Sequence, residues 1–234
     1  MIGQRQTGGA PASPAAHTFN PMISITVKGL AKFMTASPAQ QRKVVRDFKY
    51  PKLDESAAQQ KYYREARMII TAYHKAGHPP EWLLQKVAQL QRLAQQRHNP
   101  RIRTRLNHNA RAVRLYHQYF RKNEFEVVQR KSLQFDSGNV RVRTTPDLCV
   151  IENGAEKIIK FEFSAAEPSG DVIKIISQVM YESVNRGGAT LPAASIMYYD
   201  VPRGAAHKGA RVQTRTLANI LAACETIENI WEAI

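Results

Sequence analysis

The sequence predicts a mixed α/β (α+β) protein: helices flanking a mixed central sheet, preceded by a basic, all-helical N-terminal region. Three observations predict this. Apolar residues recur at helical spacing up to about Asn123 and then switch to strand-like alternation. Proline, glycine and asparagine punctuate the chain where such elements would start and stop. Charge divides at the same place. Residues 1–123 hold 22 Lys and Arg against 5 Asp and Glu, whereas residues 124–234 hold 12 against 14. One half is therefore suited to gripping an anion, and the other holds most of the carboxylates.

In chain order, residues 1–22 read as a leader of Gly, Ala, Pro and Ser without an apolar signal core. A basic helical region is expected over 23–100. Ser37-Pro38 starts a helix over about 38–48, with Pro51 closing the segment. Asp54 caps a helix over about 55–76, with Gly77 as its stop. Pro79-Pro80 opens another, on which Trp82, Leu83, Val87, Leu90 and Leu93 recur. Asn99-Pro100 breaks it, and a fourth helix runs over about 102–121. The remaining domain, 101–234, reads as strands at 125–129, 140–143, 148–151 and 157–164, the first two joined through Ser137-Gly138-Asn139. Asn153-Gly154 marks a tight turn. A helix over about 171–185, strands at 194–201 and 211–215, and a C-terminal amphipathic helix complete the order.

The chain has 234 residues, with 43% hydrophobic, 8% aromatic and 23% charged residues, which provides for a real core and excludes wholesale disorder. A net charge of +15 and a pI near 10.0 point to a polyanionic partner, nucleic acid first. Cys149 and Cys224 stand alone, so no four-cysteine zinc or iron–sulfur site exists. Two free thiols in apolar settings fit a reducing cytoplasm. No apolar run is long enough for a membrane helix.

The candidate chemistry lies at Pro146-Asp147, which opens one strand, and Glu162, which sits between Phe161 and Phe163 in the next. A hairpin of this spacing can bring both carboxylates to one end of a sheet, where they could hold a divalent cation. An acid inside an apolar strand needs a partner. An ion pair with Lys160, Lys174 or Arg143 would serve Glu162 as well as a metal.

This layout resembles the PD-(D/E)XK nuclease superfamily in its RecB-like branch, over about residues 102–234. Pro146-Asp147 matches the PD element. Lys160-Phe161-Glu162-Phe163-Ser164 lies where the acidic strand should be, and Gln178-Val179-Met180-Tyr181 is similar to the glutamine–tyrosine helix. The resemblance implies a RecB-like restriction-endonuclease core, a phosphodiesterase activity dependent on Mg²⁺ or Mn²⁺, Asp147 and Glu162 as metal ligands, and Gln178 and Tyr181 at the substrate. It also brings an association with phage defence and mobile elements. The family's lysine should stand at 164, where this chain has serine. Lys160 shares a strand face with Glu162, and Lys174 shares a helix stripe with Gln178 and Tyr181. Lys174 is the preferred substitute. The first core helix lacks the acid of many relatives and offers His108 or His117 instead, with His108 taken as a metal-ligand candidate.

The expected function is a metal-dependent nuclease acting on DNA, gripping phosphates without reading sequence through Arg101, Arg103, Arg105, Arg111, Arg114, Arg42 and Lys43. The alternative is a catalytically inactive nucleic-acid-binding subunit on the same fold. A third class is a protein whose basic half docks an acidic protein partner.

Overall fold

The computed structural model describes residues 22–51, 62–129, 132–188, 190–210 and 213–234. Almost all of the expected leader and the stretch 52–61 lie outside the described residues. The protein is mixed α/β, with seven α-helices and two mixed sheets among the described residues. None of these helices is long and apolar enough to cross a membrane.

The first element among the described residues is one the local pattern does not reveal, a strand inside the region 23–100 expected to be all helical. Strand β1 (Ile23–Thr26) alternates buried and exposed side chains and runs directly into helix α1 (Val27–Met34). The Thr26 hydroxyl caps that helix by accepting from the Gly29 N–H at 3.1 Å. Gly29 is needed for packing: a Cβ there would meet the Phe48 ring at 2.8 Å. Phe48 belongs to α2 (Pro38–Lys49), which starts where Ser37-Pro38 predicts and carries a Ser37/Gln40 capping box. Helix α3 (Arg64–Lys75) covers the later part of the helix expected over 55–76, whose start at Asp54 lies outside the described residues. Helices α4 (Pro80–Gln95) and α5 (Pro100–Phe120) start at their prolines, and the Asn99 side chain accepts from the N–H groups of Arg101 and Ile102.

Strand β2 (Glu126–Val127) is two residues long and pairs with the strand at Leu148–Glu152, not with the strand after Gly138. The hairpin partner there is β3 (Leu133–Ser137), which turns at Gly138 into β4 (Val140–Thr144). Strands β5 (Leu148–Glu152) and β6 (Ala155–Glu162) form the expected hairpin. Asn153 and Gly154 have φ of 52° and 75°, the left-handed pair a two-residue turn requires. Helix α6 (Gly170–Arg186) crosses over to β7 (Ile196–Asp200), which runs parallel to β6. The last strand among the described residues is β8 (Ala205–Lys208), ahead of the expected 211–215. Residues 211 and 212 lie outside the described residues, and 214–215 already belong to α7 (Thr214–Glu232). Ala-Ala-His-Lys has no strand propensity of its own. Its pairing with β7 is set by the turn at Gly204, whose φ is 64° and where a Cβ would meet the Tyr119 ring at 2.5 Å.

The small sheet has the order β1-β4-β3 and the larger one β2-β5-β6-β7-β8. Alternation gives the larger sheet two buried faces. Leu148, Val150, Ile159, Phe161, Met197 and Tyr199 pack with apolar residues of α3, α4 and α5. Cys149, Ile158, Ile196 and Tyr198 pack with α1, α2, α6, α7 and the small sheet. The second row continues through Lys160 to Glu162, so the polar pair stands where that core reaches its edge.

A buried histidine reports on the helical layer. His74 lies among Tyr73, Tyr116 and Phe125, with its Nε2 2.6 Å from the Tyr116 hydroxyl. Burial pushes the pKa of Tyr116 well up, so it keeps its proton and donates to an unprotonated Nε2. Burial also pushes the His74 pKa down to about 4. The unfolded chain takes up that proton near its ordinary value of about 6.5. Stability from this site is therefore complete above about pH 6.5 and declines as pH falls toward 4, by up to about 3 kcal/mol. Urea midpoints measured from pH 7 to 4.5 should fall accordingly, and His74→Phe should remove most of that slope.

Candidate functional site

Pro146-Asp147 continues the β5–β6 ladder by one bond: the Asp147 N–H donates to the Ile159 carbonyl at 2.8 Å. Asp147 thus stands at the start of β5, within side-chain reach of Lys160. Glu162, two residues along β6, projects from the same face as Lys160, whose Nζ reaches the other expected carboxylate, Asp147. The oxygens of both carboxylates are already engaged. Asp147 Oδ2 accepts from the Phe161 N–H at 2.9 Å and pairs with Lys160 Nζ at 3.0 Å, while Oδ1 pairs with Arg67 Nε at 2.8 Å. Glu162 Oε2 accepts from Lys28 Nζ at 2.7 Å and from the Tyr198 hydroxyl at 3.0 Å. Its Oε1 accepts from the N–H groups of Phe163 and Ser164, each at 2.9 Å.

Burial and charge compete at these groups. Burial works to raise the Glu162 pKa, but Lys28, Ser164 and Tyr198 outweigh it, and the net shift is downward. The Lys160 pKa is lowered first by burial; Asp147 opposes this, while Lys28 and Arg67 add to it. Tyr198 is raised by burial and then by Glu162, so its hydroxyl stays protonated and donates. Beyond Glu162 in register lies buried Asp200, held by Arg203 Nη1 at 3.0 and 2.9 Å. Arg203 Nη2 also donates to the Ala165 carbonyl at 2.6 Å, which fixes the chain just after β6.

Mg²⁺ or Mn²⁺ does not fit these residues as they stand. Both oxygens of Glu162 and Oδ2 of Asp147 already accept N–H or O–H hydrogen bonds, and Asp147 Oδ1 is ion-paired with Arg67. The two carboxylates face three cations, Lys28, Arg67 and Lys160, so the cluster carries a net positive charge that repels a divalent ion. Among the described residues there is no group of three or more His, Cys, Asp or Glu side chains that could hold a metal.

The lysine that reaches Asp147 is Lys160, not the preferred Lys174. Lys174 pairs with Asp171 at 3.4 Å on its own helix, and its side chain is 56% exposed. The stripe Lys174, Gln178, Tyr181 does share one face, but it borders a separate hollow of about 70 Å³ with Lys208 and Gln213. There Gln178 Nε2 donates to Glu182 at 2.9 Å, and its Oε1 accepts from the Gln213 N–H at 3.4 Å. His108 Nδ1 faces the Tyr62 hydroxyl at 2.8 Å and is not part of the carboxylate pair. Arg105 is bound to Glu65 at 2.9 Å. Arg101, Arg103, Arg111 and Arg114 are exposed along α5, as are Arg42 and Lys43 on α2.

Sequence reasoning misses Lys28, Arg67 and Tyr198. Lys28 lies 134 residues from the acid it binds, so no local spacing pairs them. A comparison with protein-family models finds no match, and a comparison with curated proteins finds no significant one.

Asp147 is the cluster's least replaceable member, with its side chain 1% exposed between two cations. Asp147→Ala should cost about 3–5 kcal/mol, because Lys160 would lose its carboxylate in a buried setting. Lys160→Met should cost less, since Arg67 still neutralises Asp147, and Lys174→Ala should be close to silent. Equilibrium denaturation of the three variants checks the order.

Proposed function

We propose that the chain binds nucleic acid, DNA first, through a PD-(D/E)XK-like core of the RecB-like type in which the chain's own cations stand where the resemblance implies a metal. The observation that supports this reading is the charge of the cluster. Two carboxylates beside Lys28, Arg67 and Lys160 favour a phosphate over a divalent cation. The exposed arginines of α5 extend that positive surface, and the first 123 residues carry a net charge of +17. Phosphate contacts of this kind give affinity without sequence preference.

The second reading is a Mg²⁺-dependent nuclease. It is favoured by Lys160, which projects from the face of Glu162 and pairs with Asp147, and by the 44% exposure of the Lys28 side chain, which would let that lysine move aside.

Fluorescence anisotropy with labelled DNA over a range of salt concentrations tests the proposal. The parent should show a steep salt dependence. Arg101→Ala, Arg103→Ala and Arg114→Ala combined should flatten the slope by roughly 0.9 for each phosphate that is no longer neutralised. Arg105 is left in place because it pairs with Glu65. Incubation with Mg²⁺ or Mn²⁺ should leave the DNA intact. Cleavage that disappears in both Asp147→Asn and Glu162→Gln would carry the second reading, and a parent without DNA affinity would end the first.

A further inference from the structure

Beside the carboxylate pair, the N-terminal end of α3 carries two consecutive tyrosines. Tyr63 stacks on Phe163, the residue after Glu162, with ring centroids 5.1 Å apart and planes 27° apart. Tyr62 meets Tyr63 edge-on at 5.1 Å and lies tilted against His108 at 5.8 Å. Phe163 is buried, whereas both tyrosines remain partly open to solvent. The ladder therefore leads outward from the cluster. Cations stand along it. Arg67 lies over the Phe163 ring at 5.6 Å, and Glu162 and Arg111 both lie within electrostatic reach of Tyr63. Arg111 belongs to the exposed arginine face of α5.

Aromatic rings that build outward from a buried ring, remain partly open to solvent and stand beside cations are what unpaired bases stack on. Every base has a π-face, so such a platform is indifferent to sequence, and the neighbouring arginines track the backbone. A base paired inside a duplex cannot reach these rings without leaving its stack. We infer that Tyr62 and Tyr63 form a stacking platform for unpaired bases, so that the ligand is single-stranded nucleic acid or a frayed end, entering past Arg111 with its phosphates toward Lys28 and Arg67. This inference rests on the nucleic-acid reading above and narrows its substrate class.

The test compares labelled oligothymidylate with a duplex of equal length, each over a range of salt concentrations. The parent should bind the single strand more tightly. Tyr62→Leu and Tyr63→Leu, which keep apolar bulk at the N-terminal end of α3, should each weaken single-strand binding about 5- to 100-fold. The salt slope should stay unchanged, because stacking releases no counterions. Tyr62→Phe and Tyr63→Phe keep the ring and should bind as the parent does. Photo-crosslinking of 5-iodouracil-substituted oligonucleotide to the parent should place the adduct on Tyr62 or Tyr63. A parent that binds duplex at least as tightly, with leucine variants that bind as it does, overturns the platform while leaving the nucleic-acid reading intact. A parent that binds neither form overturns both.

Discussion

Two carboxylates at the end of the β5–β6 hairpin, matched by cations from three separate elements, are the constraint on which the site depends. Asp147 and Glu162 are fixed by backbone N–H groups of β6 and of the two residues that follow it. Lys28 comes from α1, Arg67 from α3 and Lys160 from β6 itself. Helices α1 and α3 pack on opposite faces of the larger sheet. The ion pairs therefore tie both helical layers to one sheet end. An acid there without its partner would be a buried uncompensated charge, so the arrangement is set as a unit.

The sheet makes this possible through its period of two. Ile158 is core, Lys160 lies at the edge and Glu162 stands just beyond, all on one face of one strand. Tyr198 on β7 adds a hydroxyl that keeps its proton, and the buried Asp200–Arg203 pair holds the segment after β6. The same fold that could have presented two acids to a metal here presents them to lysine and arginine. The sign of the local charge follows from those partners, and the proposed preference for an anion rests on it.

Much of this is legible in the sequence. Prolines mark the starts of α2, α4 and α5, Asn153-Gly154 marks the tight turn, and an acid between two phenylalanines demands a partner. The period of two puts Lys160 on the face of Glu162, and there it stands. What escapes depends on long-range pairing. Strand β1 has only four residues and is defined by β4, more than a hundred positions away. Strand β8 is defined by the Gly204 turn and by β7. The helix stripe that favours Lys174 is real; its neighbours are Lys208 and Gln213, which the stripe alone cannot reveal. Tyr62 and Tyr63 carry no signal as a pair until Phe163 is seen beneath one of them and His108 beside the other.

The central claim is that the chain's own cations hold the place a metal would take. Titration of the parent with Mn²⁺, read by the electron paramagnetic resonance signal of the free ion, tests it most directly. The free-ion signal should grow in proportion to added Mn²⁺, with no saturable site and no difference between the parent and Asp147→Asn. One ion bound per chain, and lost in Asp147→Asn, would contradict it.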